Sequence, residues 1–435
     1  MKPAAMALAA AAGLFAFGAS SVQAADLGGD CCADLEERIA ELEATTARKG
    51  NRKVSLTISG WVNEAVFAWD DGSESNVYVG TNSLEQDRVK FAGKAKITDT
   101  WAAGYTLEIG INGAPSNQFS QDNDNGTSPN SLSVRKASWF IESKDLGKVT
   151  VGQDGTATYH LLDDADGVNT RNYSDAEAAA VAMGAFNLRV NGVLQPVQWG
   201  QILGGFNNNT PGQSGRRNVV RYDSPTIAGF VFTAAWGEDD MWDTALTYKG
   251  EFGDFAVVAK LGYGESSDAT NSGSCSSEPG SPAPGSRDCQ WWGAAGTIQH
   301  KPTGLFVYGG YGEQQDDNIA ANFGPTADDS NTTWFVQAGI EQKFFPLGKT
   351  TVFGEYRKDE GGTPEASRTL IGAADPIRES DIDFYAAGVV QNIEAAAMDL
   401  YVIYRHAEGD VTDFGNVTTG VDDFDMVISG ARIQF

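Results

Sequence analysis

Cationic side chains occupy alternate positions in two segments that have strand character. Successive side chains of a strand point to opposite faces, so each segment would present a cationic face opposite an apolar one, which includes Phe91 in the first and Val220 in the second. A cation facing lipid near mid-membrane would cost roughly 2–4 kcal/mol, so the cationic faces require water. The cations on them are Arg88, Lys90, Lys94, Lys96, Arg217 and Arg221.

A group of acidic residues lies between these two segments, in a stretch without a strand pattern. Its members are Asp163, Asp164, Asp166, Asp175 and Glu177. Opposite charges that face each other across a water-filled passage would orient polar solutes and hinder apolar ones. We hypothesise that the wall cations and these acids meet at the narrowest part of such a passage. The alternative is that they only solvate it or pair with one another.

Residues suited to catalysis or metal binding are scarce. The chain has three histidines, His160, His300 and His406, and it has no G-x-S-x-G motif, no P-loop and no Cys/His group at metal-ligand spacing. We therefore expect no enzymatic activity, no bound metal and no cofactor. The net charge of −27 repels nucleic acid, so no nucleic-acid partner is expected.

The four cysteines form two pairs. Cys275 and Cys289 bracket a stretch rich in Ser, Pro and Gly, and a disulfide between them would close a loop in an oxidising compartment. Cys31 and Cys32 are adjacent and cannot easily bond each other, which leaves free thiols or bonds between chains.

The elements that must position the charged residues are strands. After the first 25 residues, no stretch approaches the roughly 20 apolar residues of a membrane helix. From Val54 onward, segments with a period of two, nearly all long enough to cross an outer membrane, recur sixteen times. They are 54–68, 87–98, 103–112, 131–142, 147–152, 217–223, 229–237, 243–251, 254–264, 290–300, 304–313, 332–343, 350–359, 381–392, 397–408 and 423–435.

The connections between these segments alternate between short and long, and the long ones include 153–216 and 409–422. An outer-membrane barrel has short turns at one end and long loops at the other, and an even strand number leaves no exposed edge. We therefore predict an all-β fold, a 16-stranded antiparallel transmembrane β-barrel. In 423–435 the apolar parity switches near Ser429 and Gly430, which indicates either a bulge or a misjudged register of this strand.

The residues before Val54 predict export and a short helix. Lys2, an apolar stretch and a small-residue cleavage pattern ending at Ala24 are typical of a signal peptide over 1–24. In the periplasmic segment 25–53, residues 34–47 carry about two heptads of a coiled coil, which three assembled copies would support; the alternative is a lone helix or an unstructured tether. The barrel would occupy 54–435.

Three stretches resemble the general porins of Gram-negative bacteria. GKVTVGQDGTATYHLLDDADG (147–167) resembles the start of their constriction loop, NVVRYDSPTIAGFVFTAAWG (218–237) the hairpin after it, and SGARIQF the terminal-aromatic strand. With DLEERIAELEATTARKG and the first strand, the chain is similar to alphaproteobacterial porins of the rhizobial type.

The resemblance implies a homotrimer of barrels in the outer-membrane bilayer, each narrowed by its third loop, here 153–216, in which 175–185 could form a short helix. It implies passive transport of ions and small hydrophilic solutes, and recognition of Phe435 by the barrel-assembly machinery. The acidic composition favours a mild preference for cations, which basic residues of the lumen could reverse locally. Two alternatives stay open: a substrate-selective channel for sugars or phosphate, and a barrel whose N-terminal segment tethers the envelope.

Overall fold

The computed structural model describes residues 53–126, 132–171, 173, 183–203, 210–237, 240–267, 288–317, 324–362 and 369–435. Within them, sixteen strands form one antiparallel sheet that closes on itself, and each predicted segment is one of its strands. The strands of the ring are β1 (Thr57–Asp70), β3 (Arg88–Lys96), β4 (Trp101–Ile111), β5 (Leu132–Ser143), β6 (Gly147–Gly155), β9 (Arg216–Asp223), β10 (Phe230–Gly237), β11 (Met241–Phe252), β12 (Phe255–Ser266), β13 (Cys289–His300), β14 (Leu305–Asp316), β15 (Ser330–Phe345), β16 (Gly348–Gly362), β17 (Ile377–Ile393), β18 (Met398–Asp413) and β19 (Thr418–Gln434). Three further strands are β2 (Ser75–Thr81), which pairs with β1 in the same sheet, and β7 (Asn187–Val190) and β8 (Val193–Gln198), which form a separate two-stranded sheet.

The ring closes where β1 meets β19. The two strands pair without interruption from Trp61 opposite Gln434 to Asp70 opposite Asp425. Beyond them, the Gly60 N–H donates to the Phe435 carbonyl at 2.9 Å, and the Phe435 N–H donates to the Gly60 carbonyl at 3.0 Å. A side chain at position 60 would meet the ring of Phe435 and backbone of β3, so glycine at this position permits the closure.

The second strand of the ring is interrupted, which the sequence analysis did not predict. β3 pairs with the first half of β1 and β2 with its second half, while residues 82–87 leave the sheet between them. We call residues 82–87 the excursion. It forms because Asn82 caps a 3-10 helix (Ser83–Glu85): its side-chain oxygen accepts a hydrogen bond from the N–H of Leu84 at 3.2 Å.

The two ends of the barrel differ in their connections. At the end that we call the turn end, each of the seven connections has two to six residues. At the opposite, loop end, the connections 112–131, 156–215, 267–288, 317–329 and 363–376 are long, whereas 238–240 and 414–417 are short. The prediction of a long loop over 409–422 is therefore wrong: β18 and β19 continue as a hairpin, and the hydroxyls of Thr412 and Thr418 lie 2.9 Å apart.

Of the two explanations for the parity switch near Ser429 and Gly430, the bulge is wrong, because β19 keeps an unbroken register with β1 and β18 there. The parity switch has another cause. Phe424, Met426 and Ile428 point inward, yet they are buried, since a chain segment covers this part of the inner wall. The inward face of a barrel strand can therefore be apolar where it does not face water.

The outward face is apolar and ends in aromatic side chains at the loop end. Trp236, Trp242, Trp334, Tyr385 and Tyr404 are all exposed there, as in the aromatic belts of membrane barrels. Among the residues that the structure describes, no helix is long and apolar enough to cross a membrane.

Several predictions fall outside the described residues. These are the signal peptide 1–24, the helix 34–47, Cys31, Cys32 and Cys275. Cys289 is buried at the loop end of β13 and is disulfide-bonded, and its expected pairing with Cys275 stays a prediction.

Candidate constriction site in the lumen

Residues 156–215 connect β6 to β9. Their described parts, 156–171, 173, 183–203 and 210–215, run inside the barrel, and we call these parts the inserted segment. The Tyr308 hydroxyl on β14 donates to the Leu162 carbonyl at 2.6 Å. Further along the chain, the Tyr173 hydroxyl donates to Asp399 on β18 at 2.9 Å. The first part of the inserted segment is thus fastened across the inner wall from β14 to β18.

The middle of the inserted segment packs on an apolar part of the wall. It forms the β7–β8 hairpin and a short helix (Trp199–Ile202). Phe186 contacts Trp69 on β1 and Phe424 on β19, with ring centroids 5.0 and 4.9 Å apart, and Trp199 is buried beside them. Such aromatic pairs contribute about 0.5–1.5 kcal/mol each beyond their burial, so this cluster holds the segment against one side of the barrel.

The return of the inserted segment lies flat against β14. A side chain at Gly312 would meet the backbone of Pro211 and Gly212, and one at Gly212 would meet the backbone of β13 and β14. Gly212 has a φ of +87°, which also favours glycine. Glycines on both sides therefore allow this close approach.

The opposite wall carries cations, and a bulge brings two of them to the same face. The register between β4 and β5 shifts at Glu108 and Ile109, which leaves Arg135 as an extra residue. Arg135 and the adjacent Lys136 consequently both reach the lumen: Arg135 Nε lies 2.8 Å from Glu108, and Lys136 Nζ lies 2.8 Å from Asp154. Re-aiming a side chain is a common effect of bulges.

A continuous chain of ion pairs joins the inserted segment to this wall. Its six contacts measure 2.8–3.8 Å. The link across the lumen is Arg171, which lies 2.8 Å from Asp164 of its own segment and 3.8 Å from Glu85 of the excursion. The members of this ion-pair chain are, in order, Lys260, Asp164, Arg171, Glu85, Arg88, Glu108 and Arg135.

The electrostatics of the site keep its carboxylates charged. Burial alone would raise the pKa of Glu85, but Arg88 and Arg171 outweigh it and hold that pKa below its ordinary value. The pKa of Asp164 is lowered in the same way, by Arg171 and Lys260 against burial. Burial and then the charge of Arg171 hold the pKa of His160 well below 6.5, so this imidazole is neutral at physiological pH.

A polar cavity of about 270 Å³ lies beside the ion-pair chain. Its lining combines the guanidinium groups of Arg88, Arg135 and Arg216 with Glu85 and His160. Counting whole charges along the ion-pair chain gives four cations and three carboxylates, so the ion-pair chain itself has an excess of one positive charge, although the whole protein is acidic.

The structure brings some of the predicted acids together with cations and turns others away. Asp164 belongs to the ion-pair chain. Asp163 is buried, with Oδ2 at 2.8 Å from His160 Nδ1. Asp166 accepts hydrogen bonds from the N–H groups of Val168, Thr170 and Arg171 and so holds its own turn; burial raises its pKa to about 6. Asp175 and Glu177 lie outside the described residues.

The predicted cations are likewise divided. Arg88 lies in the ion-pair chain, whereas Lys90 is half-buried and makes no ion pair with a described residue. Lys94 pairs with Glu142 towards the turn end, and Arg221 pairs with Asp223 at 2.7 Å. Arg217 is half-buried in β9.

Sequence reasoning missed most of the ion-pair chain. The omitted residues are Glu85, Glu108, Arg135, Arg171 and Lys260. Strand parity would have found Lys260, because it lies on the face of β12 opposite to that of the apolar Leu261. Arg135 reaches the lumen only through the bulge, and Glu85 reaches it only because the excursion leaves the sheet. Neither has a reliable signal in a single sequence.

Comparison with known proteins agrees with this architecture. Residues 4–423 match the family model described as Gram-negative porin. The fold is similar to the anion-selective porin from Comamonas acidovorans (16% identity, 88% of this chain and 100% of that chain, TM-score 0.57). It is also similar to OmpT, an outer membrane protein of Vibrio cholerae (14% identity, covering 89% of this chain and 99% of that chain, TM-score 0.52). A third similar structure is Salmonella typhi OmpF in complex with daunomycin (14% identity, covering 88% of this chain and 98% of that chain, TM-score 0.50). A search of curated proteins finds no significant match.

Proposed function

Because this chain belongs to the Gram-negative porin family, we propose that it is an outer-membrane general diffusion porin whose charged constriction sorts solutes by size and charge. The observation that carries the proposal is the closed barrel in which the inserted segment covers one side of the wall and meets the excursion through Arg171 and Glu85. Ions and small hydrophilic solutes cross the remaining lumen down their gradients, without energy input. The chain acts as a channel, and we assign it no enzymatic activity.

The charges of the constriction favour anions over cations. Arg88, Arg135 and Arg216 converge on one cavity, and cations outnumber carboxylates in the ion-pair chain. A passing ion responds mainly to charges within about one screening length, roughly 10 Å at 0.1 M salt, so the local excess outweighs the acidic composition of distant loops. Anion preference is therefore our proposal, in place of the cation preference expected from composition. The similar porin from Comamonas acidovorans is described as anion-selective.

Assembly as a homotrimer is proposed from the family. One solved form of OmpT of Vibrio cholerae, 15% identical with a TM-score of 0.50, is described as a trimer. The rhizobial-type subgroup, the signal peptide 1–24, the barrel-assembly signal at Phe435 and the Cys275–Cys289 disulfide are proposed from sequence. The 153–216 region is proposed as the constriction loop because the inserted segment occupies the lumen.

Two experiments test the channel function. The purified chain in a planar lipid bilayer should give stepwise conductance, closures in groups of three, and a reversal potential in a KCl gradient that reports anion preference. Absence of current would refute the porin function, and a cation-selective reversal potential would refute the proposed role of the arginines. In a liposome-swelling assay, rates should fall smoothly with solute size; a rate enhanced for one sugar or for phosphate would favour the substrate-selective alternative.

The envelope-tethering alternative is tested separately. Deletion of residues 34–47 should leave conductance and envelope attachment unchanged if the protein is only a pore. Detachment of the outer membrane on this deletion would establish the structural role.

A further inference from the structure

A group of metal-ligating side chains lies outside the lumen, on the outward face of β18 and β19 at the loop end. His406 and Glu408 share the outward parity of the exposed Tyr404. Asp423 of β19 follows the pairs of His406 with Asp425 and of Ala407 with Phe424, so it shares the outward parity of Asp425 and lies beside Glu408. One ligand atom from each of His406, Glu408 and Asp423 lies within 4.8 Å of the other two.

The imidazole of His406 is oriented by its neighbours. Its Nδ1 lies 2.9 Å from Oδ1 of Asp425, and the hydroxyl of Tyr404 donates to the same oxygen at 2.5 Å. A carboxylate at Nδ1 selects the tautomer in which Nδ1 carries the proton, and Nε2 then presents its lone pair. Nε2 lies 3.7 Å from Glu408, longer than a hydrogen bond and close to the roughly 3.4 Å between two donors on a tetrahedral zinc ion.

We propose that His406, Glu408 and Asp423 bind one divalent late transition-metal ion of the zinc class, with Asp425 as the residue that positions His406. An imidazole nitrogen with two carboxylates suits zinc better than calcium, because calcium takes six to eight oxygen ligands. The carboxylates are partly exposed and need to move only about 1 Å to complete three protein ligands. The remaining coordination position opens outward, away from the lumen.

The probe is Zn²⁺ alone, titrated calorimetrically into the full-length, detergent-folded protein after EDTA treatment. We expect one site that His406→Ala removes. Asp425→Asn should weaken it about 10–100-fold, as loss of a carboxylate behind a metal-bound histidine does. Addition of Co²⁺ should give a visible absorption band that His406→Ala abolishes.

His300→Ala is the matched control. His300 is a histidine at the turn end whose Nδ1 lies 2.7 Å from the Thr303 hydroxyl, and no carboxylate of a described residue pairs with its imidazole. This variant should retain Zn²⁺ binding. All variants should keep wild-type single-channel conductance, which verifies folding and separates the metal site from the porin function.

Three results would overturn the proposal. They are no Zn²⁺ binding by the wild type, the same stoichiometry and affinity in His406→Ala, and equal losses in His406→Ala and His300→Ala. The first two would mean that His406 only forms ion pairs with Asp425 and Glu408. An unchanged affinity in Asp425→Asn would overturn the positioning role.

Discussion

Replacement of Glu85 by Gln should make the channel more anion-selective. Glu85 is buried in the excursion, between Arg88 at 2.8 Å and Arg171 at 3.8 Å. Its loss raises the excess along the ion-pair chain from one positive charge to two. For an ion that passes about 5 Å away in water, one unit charge contributes about 0.8 kcal/mol. Screening at 0.1 M salt lowers this to about 0.5 kcal/mol.

That energy favours the anion and disfavours the cation by about twofold each, so the ratio of anion to cation permeability should rise about fivefold. The assay is the reversal potential in a KCl gradient across a planar bilayer. Glu251→Gln is the matched control, because it removes the same charge from an exposed pair with Lys301 at 2.6 Å at the turn end. An equal shift in both variants, or no shift in Glu85→Gln, would show that the ion-pair chain does not line the path of the ions.

Four further predictions follow from the same contacts. Arg171→Gln should shift the reversal potential in the opposite direction by a similar amount, and a shift of the same sign as in Glu85→Gln would contradict the arrangement. The difference in reversal potential between wild type and Glu85→Gln should persist from pH 8 to pH 5 and vanish only as the pH falls through the lowered pKa of Glu85. A carboxylate whose folded-state pKa is lowered keeps its charge above its ordinary pKa and loses it only below the folded value. Loss of the difference near pH 6 would contradict a lowered pKa for Glu85. Gly312→Val should push the inserted segment off β14 and change single-channel conductance, whereas substitution of the outward-facing Gly309, which has no inserted backbone against it, should not. Gly60→Val should reduce the folded fraction on heat-modifiability gels, because the new side chain meets the ring of Phe435 at the closure of the barrel; normal assembly would argue against that contact.

The strands could be predicted from sequence because lipid imposes a local rule. Every outward position of a spanning strand must be apolar, so a period of two appears in the sequence wherever the opposite face meets water. Lys94 and Lys96 follow this rule, because they lie on the face opposite the apolar one. His406 is an outward-facing exception at the loop end, where its parity with Tyr404 places it. The loop over 409–422 was predicted wrongly because no local rule marks where a strand leaves the membrane and continues as a hairpin.

The constriction could not be predicted to the same extent, because its contacts join residues far apart in the chain. Arg171 meets Glu85 only because the excursion leaves the sheet, and Arg135 reaches Glu108 only through a bulge. The excursion and the bulge each break the alternation of apolar and polar residues at one place in the sequence. In a single sequence such a break is indistinguishable from an irregular strand.

The interior of this barrel has two sides, and their composition reflects where the inserted segment lies. Phe424, Met426 and Ile428 face inward on the side that the segment covers, whereas Arg88 and Arg135 face inward on the side that it leaves open. Burying an unpaired cation under the inserted segment would cost several kcal/mol. Leaving inward apolar side chains in water would lose the hydrophobic stabilisation that their burial provides. In a porin sequence, a strand with apolar residues at both parities therefore indicates where the inserted segment docks.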